Sequence, residues 1–300
     1  MHVDRVGIGV IGAGYWGPNI VRNCATNANT DLRWVCDLNE AAAQRLASTY
    51  AGTAHTSEVQ RVLDDPTVHA VAIATPAATH FELAMAAFRA GKHVLIEKPI
   101  AASVGEAEQM VSAAQSAGLT LMCDHTYCYS PAVRYIRSAI ERGDLGDILF
   151  VDSVRINLGL VQSDVNVLWD LAPHDLSILD YVLPGSRQVQ SVAATGSDPI
   201  GAGQACVGHL SLGLAGGSSA HVHVNWLSPT KVRTMIIGGT DQTLVWDDLN
   251  PQQRVSIYDR KIDLGKDLDE VVHRSRVSYR IGDVRSPALP DTEALSAVMD

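Results

Sequence analysis

The sequence predicts an α/β protein in two parts. Residues 1–124 read as a parallel sheet covered by helices on both faces, and residues 125–300 as an α+β domain with a large, open, mainly antiparallel sheet. Three observations predict this. Short apolar runs alternate with helical patterns up to residue 124, the mark of βαβ units. Beyond about residue 148, apolar and polar residues alternate singly between glycine-containing turns, as in strands covered on one face. The length of 300 residues, 46% hydrophobic and 19% charged, suits two domains with real cores.

Taken in order, "VGIGVIGAG" (6–14) is a strand ending in glycines and "YWGPNIVRNCATN" a helix. "DLRWVCDLN" is the second strand, "AAAQRLASTY" a helix and "VQRVLDD" a short helix. "VHAVAIATP" is a strand ending at Thr75-Pro76, and "THFELAMAAFRAG" a helix closed by Gly91. "HVLIEKP" is a strand, "SVGEAEQMVSAAQSAG" a helix closed by Gly118, and "LTLMCDH" the last strand of this part. Ligands of such sheets sit beyond the carboxyl ends of the strands. Thr75, Glu97, Lys98, Asp124 and His125 all fall there, on the rim that carries the glycine loop.

Gly12, Gly14 and Gly17 form GxGxxG between strand and helix, and Asp37 ends the next strand 20 residues after Gly17. In that setting Gly12 permits the tight turn, Gly14 lets backbone approach a pyrophosphate, and Gly17 allows close packing of helix and strand. The helix N-terminus offers free N–H groups to phosphates. Asp37 accepts hydrogen bonds from ribose hydroxyls and repels a 2′-phosphate, which favours NAD over NADP. The plain alternative is a first turn residue after a strand. Tyr15, Trp16, Thr75, Pro76, His80, Glu97, Lys98 and His125 complete the candidate cofactor contacts. In "EKP" (97–99), Lys98 is placed to stabilise negative charge on a substrate oxygen; the alternative is an ordinary surface Glu-Lys pair.

In the second part "SPAVRYIRSAIERGDLG" reads as a helix. "DILFVDSVRINLG", "VQSVAATGS", "ACVGHLSLGLAGGSSAHVHVNWLSP", "KVRTMIIGGTDQTLVWDD" and "RVSIYDRKIDL" read as strands. Ala220, Val222, Val224 and Trp226 share one face, His221, His223 and Asn225 the other. Those histidines lack a neighbouring carboxylate or cysteine cluster, so they read as solvent-facing or interface residues, and no metal site is expected.

"VLWDLAPHDLSIL" (167–179) puts Asp170, His174, Ser177 and Tyr181 on one side of a helix. Leu168, Leu171, Ala172, Leu176, Leu179, Val182 and Leu183 form a core side. Two accounts fit. Asp170 is a helix N-cap, with Pro173 tolerated in the first turn and His174 a satisfied core histidine. Alternatively His174 exchanges a proton with a substrate hydroxyl while Asp170 sets its tautomer.

The net charge of −10 and the absence of basic runs speak against nucleic acid or an anionic membrane as partner. Five cysteines without CxxC spacing suit reduced thiols in a cytoplasmic protein. The chain shows neither a signal-peptide pattern nor an apolar stretch of about 18 residues, so neither export nor a membrane span is expected.

"GVIGAGYWG", "ATPAATH", "IEKP" and "WDLAPHDLSIL", in this order, resemble the Gfo/Idh/MocA family, and the likeness runs from residue 6 to about 290. The resemblance implies a Rossmann domain joined to an α/β domain whose open sheet makes a homodimer or homotetramer. It also implies NAD(P)-dependent oxidation or reduction of a sugar-like substrate in a cleft between domains, with Lys98, Asp170 and His174 catalytic. "GYWGPNIVRN" and "SVRINLGLVQSDVNVLWDLAPHD" are most similar to members acting on nucleotide-activated sugars, such as UDP-N-acetylamino-sugar 3-dehydrogenases. Tyr127, Arg155 and Asn157 are substrate candidates because of their place near the domain junction or on the strand leading to the His174 helix. The resemblance implies a further helical segment past the position of Asp300 that packs back on the first domain, so the chain reads either as a shortened member or as a truncated one. Two rivals stay open: an NADP-dependent keto-sugar reductase, and a non-catalytic nucleotide-sensing regulator. A metal-dependent hydrolase using His174, His221 and His223 lacks ligand spacing.

Overall fold

The computed structural model describes residues 5–185, 188–259 and 282–300. The chain divides into two compact units, Met1–Tyr129 with Thr292–Asp300, and Ser130–Asp291.

The first unit is built on six strands: β1 (Val6–Ile11), β2 (Thr30–Cys36), β3 (Ala54–Thr56), β4 (Ala70–Ile73), β5 (His93–Glu97) and β6 (Leu121–Asp124). Their order is β3-β2-β1-β4-β5-β6, and every pairing is parallel. Between them run α1 (Gly17–Thr26), α2 (Glu40–Ala47), α3 (Val59–Asp64), α4 (His80–Arg89) and α5 (Val104–Ala117). The chain turns from β1 outward to β2 and then back to β4, so the carboxyl ends of β1 and β4 border the crevice in which such sheets bind ligands. One apolar cluster includes Val62, Leu63, Phe88 and Met110. The other joins Ile20, Cys24, Val35 and Ala43 to Leu295 and Val298.

Those last two residues lie on a short C-terminal helix (Ala294–Val298), three apart and therefore on one side. Arg22 donates to both oxygens of Glu293 at 2.8 and 2.6 Å, which helps tie this segment to α1. Residues 292–300 thus belong to the first unit.

Among its described residues the second unit carries α6 (Pro131–Glu141), α7 (Val167–Val182) and eight strands. These are β7 (Ile148–Leu158), β8 (Val189–Ser197), β9 (Val207–Leu214), β10 (Ser219–Asn225), β11 (Leu227–Gly239), β12 (Thr243–Asp247), β13 (Val255–Tyr258) and β14 (Val284–Arg285). The order is β14-β13-β12-β11-β7-β10-β9-β8, antiparallel except for the β7–β10 pair. Helix α7 lies on β7, β9 and β10, and Ala220, Val222, Val224 and Trp226 are buried as the alternation predicts. The stretch "VQSVAATGS" departs from that pattern: β8 is exposed along its whole length, because it is the edge strand. Of "RVSIYDRKIDL", residues 254–259 are described and 260–264 lie outside the described residues. Among the described residues no helix is long and apolar enough to cross a membrane.

Candidate functional site

The glycine loop follows β1. Gly12 has φ +108°, a conformation that L side chains rarely adopt, and a Cβ there would fall 2.5 Å from Ala74 O. A Cβ on Gly17 would lie 2.1 Å from Gly12 O, so α1 starts in direct contact with the loop backbone. A Cβ on Gly14 would meet nothing within 4 Å. Among the described residues no side chain caps α1, whose N-cap is Trp16; Pro18 has no N–H, and Asn19 N–H donates to Trp16 O at 2.9 Å. Tyr15 is 88% exposed, and Trp16 also stands out from the loop.

Asp37, at the end of β2, holds this loop. Its Oδ2 accepts from Ala13 N–H at 2.7 Å and its Oδ1 from Asn39 N–H at 2.8 Å. Each oxygen keeps a second lone pair for another donor. The adjoining Leu38 is 94% exposed, an apolar side chain on the rim that periodicity did not single out.

From the loop, contacts run along the strand ends. The Gly12 backbone lies against Thr75, since a Cβ there would be 3.1 Å from Thr75 Cγ2. Thr79 donates its hydroxyl to Thr75 Oγ1 at 2.7 Å, while Pro76 is exposed. His80 is 1% exposed, with Nδ1 2.9 Å from Pro99 O and Nε2 2.9 Å from Thr75 O. It therefore staples the β4 end to the Lys98-Pro99 turn, and its ring is enclosed by carbonyls rather than presented to the rim. Glu97 pairs in register with Asp124 across β5 and β6. Asp124 is wholly buried and accepts from Thr126 Oγ1 at 2.7 Å. Burial, then the Asp124 charge and hydrogen bond, push the Glu97 carboxyl up to about 9. Burial likewise raises Asp124, against the Thr126 hydrogen bond. Lys98 and His125 are half-buried beside this pair, and Tyr127 lies in the following 3₁₀ turn (Thr126–Tyr129).

In the second unit α7 departs from the sequence expectation in three ways. Asn166, not Asp170, is the N-cap, accepting from Trp169 N–H at 3.0 Å. The first apolar residue, Val167, follows directly on Asn166, which sets the helix start one turn early. Pro173 therefore sits inside the helix, where it offers no N–H to the Trp169 carbonyl. Third, Ala172, Leu179 and Val182 of the expected core side are buried, but Leu176 is exposed and Asp175, which the sequence did not single out, is buried.

The reason is an ion pair. Arg155 lies in phase with the inward-facing Val151 and Ser153 of β7, and it is 2% exposed against 1% for Asp175. Arg155 Nε and Nη2 donate to Asp175 Oδ2 and Oδ1 at 2.8 and 3.0 Å, and Ser153 Oγ donates to Oδ1 at 2.9 Å. Arg155 is thus a core anchor for α7. Asp170 accepts from the buried Trp226 Nε1 at 3.0 Å, and His174 stands one turn further on, half-buried. Ser177 donates to His174 O at 2.9 Å, and Tyr181 carries the Arg137 guanidinium 4.4 Å above its ring centroid. Asn157 is half-buried near the end of β7.

On the outer face of the sheet His221 pairs with Asp152 at 3.2 Å, and His223 stacks on His209 with centroids 4.3 Å apart. Desolvation, then His209, holds the His223 imidazole below its ordinary range. Among the described residues no group of three or more His, Cys, Asp or Glu side chains is arranged to hold a metal ion.

Comparison with known proteins matches both parts of the chain to family models. A model described as "Oxidoreductase family, NAD-binding Rossmann fold" matches residues 6–125, and the "GFO/IDH/MocA C-terminal domain" model matches residues 133–245. Levoglucosan dehydrogenase of Pseudarthrobacter phenanthrenivorans is 31% identical over 64% of this chain and 55% of its own length. The chain spans about half the length of the curated relatives it matches, 55% and 56% in two of them. UDP-N-acetylglucosamine 3-dehydrogenase GnnA from Acidithiobacillus ferrooxidans has a solved structure with TM-score 0.80 and 26% identity, covering 98% of this chain and 86% of that one. GenD2 from gentamicin A biosynthesis, solved in complex with NAD, gives 0.77 and 28%, covering 82% and 74%.

Proposed function

The chain belongs to the GFO/IDH/MocA oxidoreductase family, and from that premise we propose that it moves hydride between NAD and a ring carbon of a sugar or nucleotide-sugar. One observation carries the cofactor assignment: the glycine loop leaves open space at Gly14, in front of a helix start that no side chain caps, with Asp37 latched to the same loop. Phosphate oxygens fit the positive end of α1, and the Asp37 carboxylate accepts hydrogen bonds from ribose hydroxyls while disfavouring a 2′-phosphate. Leu38 supplies an apolar surface beside Asp37 for a base.

When bound, the nicotinamide supplies the hydride acceptor, or the donor in the reverse direction. His174 takes the proton of the substrate hydroxyl as the carbonyl forms. Lys98 stabilises negative charge developing on that oxygen. Asp170, held by Trp226, supports His174 as a base. His80 acts indirectly by fixing the Thr75 and Pro99 backbone, and Arg155 by fixing α7, so the substrate contacts fall to Tyr127 and Asn157. Self-association uses the outer face of the eight-stranded sheet, where Thr234 is the register partner of Val154 and Ile236 that of Asp152.

A panel of UDP-sugars, dTDP-sugars and free cyclitols, assayed for NADH formation with NAD and NADP in parallel, tests the proposal. Turnover of at least one sugar, faster with NAD, is the expected result. Preference for NADP would overturn the Asp37 assignment, and no turnover of any sugar would overturn the substrate class.

A further inference from the structure

We propose that Glu97 and Asp124 share a single proton at neutral pH, and that the one remaining negative charge positions the Lys98 ammonium, which makes Asp124 a positioning residue. The role given to Lys98 rests on the function proposed above; the shared proton does not.

The geometry comes first. Glu97 and Asp124 are register partners on neighbouring parallel strands, so their side chains rise on the same face of the sheet. Glu97 Oε1 and Asp124 Oδ2 are both fully buried, and among the described residues neither finds a hydrogen-bond donor. Asp124 Oδ1 is satisfied by Thr126. Two ionised carboxylates in this place would leave two buried acceptors of like charge without a donor, a costly arrangement. A single proton between them removes one charge and supplies the missing donor, as in other close carboxyl pairs.

The surroundings agree. Burial dominates the upward shift of both groups, and each is pulled back by the Lys98 charge. The titratable groups acting on the pair come from the same two strand ends: Lys98 after β5, and Cys123 and His125 on and after β6. Burial, then Asp124 and Glu97, push the Cys123 thiol up to about 12, so it stays neutral and adds no charge. The pair then matches one ammonium with one negative charge, where two would over-compensate it.

Infrared spectroscopy of the full chain tests this. At pH 7 the protein should show a protonated-carboxyl stretch that moves in D₂O, fades as pH rises through about 9, and is lost in both Glu97→Gln and Asp124→Asn. Each amide supplies an N–H to the remaining carboxylate, so both variants replace the proton and keep a single charge. Absence of the band in the unmodified protein, or its survival in both variants, overturns the shared proton; the first result needs no variant to fold. For Lys98, Asp124→Ala should lower turnover about tenfold and Asp124→Asn should restore it to within about threefold. Equal losses in Ala and Asn variants overturn the positioning role. If no sugar is turned over by the unmodified protein, the function has failed, and the infrared band still judges the proton.

Discussion

Asp124 and Asp175 are both buried carboxyls, one in each unit, and each adjoins a residue given a chemical role. Asp124 reaches Lys98 through its register partner Glu97, and Asp175 follows His174 directly. They are neutralised in opposite ways. Asp175 meets the two-pronged Arg155 guanidinium and the Ser153 hydroxyl. Asp124 meets a hydroxyl and a second carboxyl. A planar guanidinium fork fixes direction as well as charge. A carboxyl pair fixes its charge by holding a proton, and so follows pH. The helix proposed to present a base is therefore bolted in place, while the strand end proposed to present a cation has an adjustable counter-charge.

The largest effect should come from breaking the bolt. Arg155→Leu leaves a buried carboxylate alone and should cost about 3–5 kcal/mol in denaturant unfolding. Adding Asp175→Leu should recover much of that loss, since apolar residues replace a buried pair well. A double variant as unstable as the single one would show that charge is not what the pair contributes.

The carboxyl pair should differ in its response to pH. Glu97 rises from 4.5 to about 9 on folding, so the folded chain holds a proton that the unfolded chain releases between those values. Its contribution is complete below about 4.5 and is lost as pH climbs through about 9. The unmodified protein should lose stability with rising pH relative to Glu97→Gln, by at most about 1.4 kcal/mol per pH unit. Parallel melting-temperature profiles of the two proteins would contradict the assignment. A smaller effect is expected at Trp226→Phe, which removes the Nε1–H donated to Asp170: about 1 kcal/mol of stability and a drop of a few fold in turnover.

The two regions were also unequally legible. The glycine loop, Asp37 and the six parallel strands could be read because local sequence dictates them: apolar runs, turn glycines and a fixed spacing. The Lys98 rim was legible for the same reason. The support of α7 was not. Arg155 pairs with a residue 20 positions away, and only the register of β7 against the helix reveals it. One signal was present, since Arg155 keeps the phase of Val151 and Ser153 in an alternating strand, which marks it as inward-facing. The Asn166 cap hid within a polar run that contains other cap candidates, Ser163 and Asp164. The return of residues 292–300 to the first unit follows from Leu295 and Val298, too short a pattern to assign to a distant core.

The central claim is that Lys98 and His174 perform the chemistry while the Gly12–Gly17 loop and Asp37 hold the cofactor. Turnover and NAD affinity measured side by side on Lys98→Ala and His174→Ala test it directly. Both variants should lose at least about a hundredfold in turnover and still bind NAD. Near-normal turnover in either one would contradict the account.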